Sequence, residues 1–164
     1  MVKRILYATD LGLYGPYIMK QVAILAQSTG AIVDVLHVIE PMGVFAESII
    51  NTYLPEEEQS HLRNKGMPQV VERIRLQVID TMNSDYADYI GVINIGEILV
   101  EVGEPSEVIV SQSGIRGSDM VVLGSHGQHA YRGGLMGSVV TKVLQLSSVP
   151  VYMIPMVNLN ELGR

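Results

Sequence analysis

Apolar residues in this chain fall into two kinds of run. Some runs are short, continuous and rich in β-branched residues. They occur at residues 3–10 (Ile5-Leu6-Tyr7-Ala8), 31–39 (Ile32-Val33 and Val35-Leu36), 98–102, 119–123 and 149–155. Unbroken runs of this length fit strands buried on both faces. In the other kind, apolar residues return every three or four positions, as on one face of a helix. Tyr17, Ile18, Val22, Leu25 and Ala26 do so, as do Val71, Ile74, Val78 and Met82, and Leu135, Val139, Val143 and Leu146. Val108, Ile109 and Val110 mark a shorter helix between them.

Punctuation agrees with this division. Pro16 suits the first turn of a helix and Thr29-Gly30 its end. Glu40-Pro41 stops the second strand, and Gly103-Glu104-Pro105-Ser106 turns into the short helix that Gly114 and Gly117 close. Residues 91–95 can extend the third strand. Residues 41–54 are apolar without a clean period and read as a partly helical loop, a flap over the sheet edge. Leu54-Pro55-Glu56-Glu57-Glu58 reads as a helix start, which Gly66-Met67-Pro68 is expected to break or kink. Prolines at both ends of residues 149–155 suit an edge strand.

The resulting order is β-α-β-α-β-α-β-α-β. Such alternation makes one open parallel five-stranded α/β sheet with right-handed crossovers and helices on both faces. Ligands then bind at the carboxyl ends of the strands, where chain order reverses, and strands one and four are the neighbours expected there. Residues 1–156 are expected to form a single domain, and residues 157–164 a tail.

Composition narrows the function. Hydrophobic residues are 48% of the chain and charged ones 17%, which excludes a disordered chain. No apolar run is long enough to span a membrane, and residues 1–5 lead straight into a short strand-like segment, so they are not expected to be part of a signal peptide. There is no cysteine, so disulfides and thiolate metal sites are excluded, and a cytoplasmic location is expected. A formal charge of −6 argues against general binding to nucleic acid or anionic membranes.

One stretch carries candidate chemistry. The run Val121-Val122-Leu123 ends at Gly124, Gly127 follows, and Gly137-Ser138 opens an apolar helical pattern through Val139, Val140 and Val143. A strand, a glycine-bearing loop and a helix start together make an anion site. Glycine lets a ligand approach main-chain N–H groups, and the first amides of a helix carry the positive end of its dipole. An acidic chain that binds phosphate must use such local backbone dipoles. Asp10, at the end of strand one, either joins the ligand or finishes a turn.

These residues resemble a known family. Gly124-x2-Gly127-x9-Gly137-Ser138 is similar to the signature of the nucleotide-binding branch of the universal stress proteins. Ile5-Leu6-Tyr7-Ala8-Thr9-Asp10, Leu36-His37-Val38, Gly103-Glu104-Pro105 and Ser148-Val149-Pro150-Val151 support it. The resemblance implies an adenine nucleotide alpha hydrolase-like sheet of order 3-2-1-4-5. It also implies a cytoplasmic homodimer, and the apolar edge strand 151–154 is the expected pairing surface. The implied ligand is ATP or AMP, with Mg²⁺ held mainly by phosphate oxygens. Asp10 and the main chain of Val38 should flank adenine, and Ala8 and Gly124 the ribose. Gly127, Gly137, Ser138 and Val139 should meet the phosphates. Thr9, His37, Ser125, His126 and Arg132 lie beside them as further candidates. The family often has serine two residues after the strand-one aspartate, where this chain has Gly12, and residues 128–134 also depart from its pattern.

Other sites fit less well. No Walker-type P-loop and no G-x-G-x-x-G after strand one is present. His126 and His129 are three apart, but no third metal ligand accompanies them. No general base stands near the glycine loop, so no catalytic residue is assigned. The expected role is a stress-response or signalling switch that hydrolyses ATP slowly, if at all. The alternatives are a dimeric interaction module of the same fold that has lost nucleotide binding, and an adenylyl or phosphoryl transferase.

Overall fold

The computed structural model describes residues 1–156 except 13, 42, 86, 90 and 127–135, with the side chains of 44–46, 67, 82 and 85 also outside it. Gly127, His129, Arg132 and Leu135, and the tail 157–164, therefore lie outside the described residues. Met82, the last member of its stripe, lies outside them as to its side chain.

Five parallel strands are β1 (Arg4–Ala8), β2 (Ile32–Ile39), β3 (Asn94–Val102), β4 (Met120–Gly124) and β5 (Val151–Ile154). They lie in the order β3-β2-β1-β4-β5, so β1 is central and β3 and β5 are the edges. β1 pairs with β2 from Arg4↔Ile32 to Ala8↔Leu36 and with β4 from Ile5↔Met120 to Tyr7↔Val122. The sheet order implied by the resemblance is the one observed.

Strand alternation divides the core in two. Ile5, Tyr7, Val33, Val35, Val122 and Ile154 face α1 (Gly15–Thr29) and α4 (Met67–Asp85). There, Ile18, Met19, Val22, Ala23, Ala26 and Val78 close the layer. Leu6, Leu36, Val121 and Leu123 face the other way, towards Ile109 of α5 (Pro105–Ile115) and Val140 and Val143 of α6 (Ser138–Leu146). Burying each such Val, Leu or Ile fully contributes about 1.5–3 kcal/mol. α1 begins with Pro16 in its first turn and ends on Gly30 at φ 71°, whose N–H returns to Ala26 C=O.

The region that lacked a clean period is helical. α2 (Val44–Tyr53) and α3 (Glu56–His61) lead into a π-helical turn, Leu62–Gly66, and then into α4. The expected break at Gly66-Met67-Pro68 is thus a widening of the helix. A proline lacks an N–H and crowds the carbonyl four residues back, and the wider turn accommodates both defects. α2 and α3 show no one-sided stripe because they are largely exposed, with Tyr53 78% accessible.

β3 is longer than its apolar core and is bulged. Val33 pairs with Ile95 but Val35 with Ile98, so Gly96 and Glu97 together oppose Asp34. Asp34 is fully buried. Its carboxylate accepts from Arg4 Nη1 at 2.6 Å, Arg116 Nε at 2.8 Å and Glu97 N–H at 2.8 Å. Burial pushes this carboxyl up, but the Arg116 bond, the Glu97 amide and Arg4 together outweigh it and hold it below the usual aspartate value. This knot ties β1, β2, β3 and the end of α5 at the margin of the sheet where β1 and β2 begin.

Candidate functional site

At the opposite margin, the chain leaves β1 and β4 in divergent directions, and a cleft of about 620 Å³ opens between the strand ends. β1 contributes Ala8, Thr9 and Asp10, and β2 contributes Leu36 to Glu40. β4 supplies Leu123, Gly124 and His126, α5 supplies Pro105 and Ile109, and α6 supplies Gly137 to Val140. Most of the walls are apolar, as expected of a small-molecule site. Among the described lining residues none is lysine or arginine, whereas Asp10 and Glu40 are acidic. Among the described residues, the donors open to a bound anion are therefore backbone amides and uncharged side chains.

Two helices begin at this cleft, and they differ. α5 is capped by Glu104, whose carboxylate accepts from Glu107 N–H at 2.9 Å, Ser106 Oγ at 2.5 Å and Lys142 Nζ at 3.3 Å. The Ser106 hydroxyl and then the Glu107 amide hold this carboxyl below its ordinary value. The positive end of α5 is thus already neutralised. α6 is capped by Gly137 in extended conformation, φ −62° and ψ 154°, and among the described residues no side chain accepts from its first amides. The first intrahelical bond runs from Thr141 N–H to Gly137 C=O. That leaves the amides of Ser138, Val139 and Val140 as donors without a capping side chain among the described residues. Of the two helices, only α6 keeps its anion-binding end open.

Across the cleft, β2 outruns β1. The last bond between them goes from Thr9 N–H to Leu36 C=O, and Ile39 C=O accepts Gly103 N–H on the β3 side. Main-chain groups alternate sides along a strand, so Val38, two residues beyond Leu36, turns its N–H and C=O towards the gap that β1 has left. The two form a neighbouring donor and acceptor.

The tip of β1 is a tight turn. Leu11 has φ 59°, rare for a residue with a side chain. Thr9 Oγ1 accepts from Leu11 N–H at 3.1 Å and Asp10 Oδ1 from Gly12 N–H at 2.9 Å. Asp10 thus helps close the turn and also lines the cleft. His37 Nδ1 donates to Thr9 C=O at 2.9 Å, the role that carbonyl requires, and so ties the ends of β1 and β2.

Gly124 has a packing reason as well as a place in the cleft. A Cβ there would stand 2.6 Å from Met156 Sδ and 2.9 Å from Ile18 Cδ1, on the sheet face that carries α1.

The structure brings together Ala8, Asp10, Val38, Gly124, Gly137, Ser138 and Val139, with Thr9, His37 and His126, around one cavity. Ser125 sits behind it, buried. Leu36, Ile39, Ile109, Leu123 and Val140 also line the cleft. They carry no mark in the sequence that separates them from core residues. Pro105 could have been found, since Gly103-Glu104-Pro105 had already been singled out.

Comparison with known proteins follows the same lines. Residues 1–155 match the profile of the Universal stress protein family. The universal stress protein MJ0577 of Methanocaldococcus jannaschii is 28% identical over 162 residues, 94% of this chain and 95% of its own. Its solved structure superposes with a TM-score of 0.70, covering 96% and 99% of the two chains. Two more distant structures share the fold. One is the universal stress protein of Archaeoglobus fulgidus in complex with dAMP, at 17% identity, TM-score 0.54 and 94% and 98% coverage. The other is a universal stress protein in complex with cAMP, at 15% identity, TM-score 0.56 and 94% and 97% coverage.

Proposed function

This chain belongs to the universal stress protein family, and on that premise we propose that it binds an adenine nucleotide, ATP or AMP, and acts as a nucleotide-dependent switch in stress response or signalling. The observation that carries this reading is the uncapped first turn of α6 facing the same cleft as the backbone of Val38. Adenine offers an acceptor at N1 beside a donor at N6, complementary to a neighbouring N–H and C=O. Guanine presents the reverse pair. The apolar walls suit a planar base, and the α6 amides suit phosphate. The dAMP and cAMP complexes of relatives add support for an adenine ligand.

Asp10 and Val38 would sit at the base, Ala8 and Gly124 at the ribose, and Gly137, Ser138 and Val139 at the phosphates. Gly127 belongs to the last group by its place in the motif. Mg²⁺ would accompany ATP, coordinated chiefly by phosphate oxygens. Rapid phosphoryl transfer needs a placed base and metal-held charge, and Asp10 stands at the base end. Slow hydrolysis is therefore the most this reading allows. The protein would work in the cytoplasm as a homodimer paired along β5, an edge strand whose Tyr152 is exposed.

Calorimetry with ATP, AMP, GTP and adenosine tests this, with mass spectrometry of any nucleotide that copurifies. ATP or AMP should bind and GTP should not. Absence of binding by both adenine nucleotides at about 1 mM overturns the reading.

A further inference from the structure

Ser125 is 3% exposed and uses each of its polar groups. Its N–H donates to Ile154 C=O at 2.9 Å, and its C=O accepts from Gly137 N–H at 3.0 Å. Its hydroxyl oxygen accepts from Met156 N–H at 2.9 Å and lies 2.8 Å from His126 Nδ1. One buried residue thus joins the tip of β4, the chain leaving β5, the cap of α6 and an imidazole that lines the cleft.

The hydroxyl proton decides the state of that imidazole, since tautomers follow from the hydrogen-bond network. Oγ already accepts from Met156. If His126 donated from Nδ1, Oγ would accept twice. Its own hydrogen would then be buried with no further acceptor among the described residues, a costly arrangement. Donation from Oγ to Nδ1 satisfies both groups and leaves the ring proton on Nε2, turned from the buried serine. Gly137 is bonded to Ser125, so His126 and the open end of α6 border the same part of the cleft.

On the reading that the cleft holds an adenine nucleotide, we infer that Ser125 is a positioning residue that fixes His126 as a neutral Nε2–H donor to a phosphate of that ligand. His126 then separates phosphorylated from unphosphorylated nucleoside without adding a fixed charge. The phosphate end of the site also depends on the chain just after the edge strand, because Met156 completes the arrangement.

Two measurements on the full chain test this. Long-range ¹H–¹⁵N correlation spectra report histidine tautomers, with His126→Gln identifying the signal. The wild type should show His126 protonated at Nε2 alone, and Ser125→Ala should shift it to a mixture. By calorimetry, Ser125→Ala and His126→Ala should each weaken ATP binding about tenfold, the worth of one hydrogen bond to a charged group, and leave adenosine within about twofold. His126→Gln keeps a neutral donor at a similar reach and should recover most of the ATP affinity. Because His126 is not buried, its variants report even if Ser125→Ala unfolds. A wild-type proton on Nδ1, or equal losses for ATP and adenosine in the His126→Ala protein, overturns the inference. Failure of the wild type to bind either compound overturns the nucleotide reading and the phosphate role with it. The tautomer spectrum still decides the Ser125–His126 arrangement.

Discussion

The carboxylate of Asp34 fills the space that a side chain at Gly96 would need. A Cβ at residue 96 would overlap Asp34 Oδ1 and lie 2.8 Å from Ile32 Cγ2. The bulge in β3 exists to bring the next amide, Glu97 N–H, onto that same oxygen. Gly96→Ala must therefore push the carboxylate off its donor or open the β2–β3 pairing. We expect a loss of about 2–4 kcal/mol in urea unfolding, since a buried charge loses part of its compensation. Wild-type stability in this variant would contradict the geometry.

The same carboxylate makes stability depend on pH. Its folded value lies below the unfolded one, near 3.9. Its contribution is present above the unfolded value and is lost as pH falls through the folded value. Asp34→Asn should destabilise by about 3–5 kcal/mol at pH 7, because Arg4 loses its ion-pair partner and Arg116 keeps only the exposed Glu97. The gap between variant and wild type should narrow as pH drops below about 4. Parallel urea titrations across pH check this, and a constant gap would refute it.

Ser138→Asp separates stability from binding. A carboxylate in the first turn of α6 complements the helix dipole and should stabilise the fold by about 0.3–1 kcal/mol. It also places negative charge where phosphate is proposed to sit. ATP affinity should fall at least about tenfold, while the melting temperature holds or rises. Calorimetry and thermal unfolding of one preparation report both.

Glu104→Ala is the counterpart on α5. Loss of the cap should cost about 1 kcal/mol of stability. Nucleotide affinity should stay within about twofold of wild type, because the phosphate is proposed to sit at the first turn of α6 and not at α5. A large gain of ATP affinity on uncovering the α5 amides would reassign the phosphate to α5.

How much was legible in the sequence depended on burial. β1, β2 and β4 are sheathed on both faces, so nearly all their central side chains are apolar, the paired Asp34 excepted, and the runs were plain. α1 buries one face, so its periodicity showed, whereas α6 buries Val140 and Val143 and leaves Leu146, which its spacing had put on the buried face, exposed. β3 was harder, because only 98–102 form a run and the bulge interrupts the pattern before them. α2 and α3 were harder still, since exposed helices need no apolar stripe.

The candidate site divided in the same way. The chain order along 121–143 was enough to put Gly137 and Ser138 at the start of a helix, because a strand, a glycine turn and a helix follow from local rules. Only the folded sheet decided that α6 rather than α5 keeps its amides open, since that depends on where the Glu104 carboxylate turns. It alone brought Met156 onto Ser125 and so gave His126 a defined partner, because β5 returns beside β4 through contacts distant in the chain. Local sequence determined the parts built from backbone. Tertiary packing decided which of their hydrogen-bonding groups remain unspent, because each is consumed or spared by a neighbour that only the fold supplies.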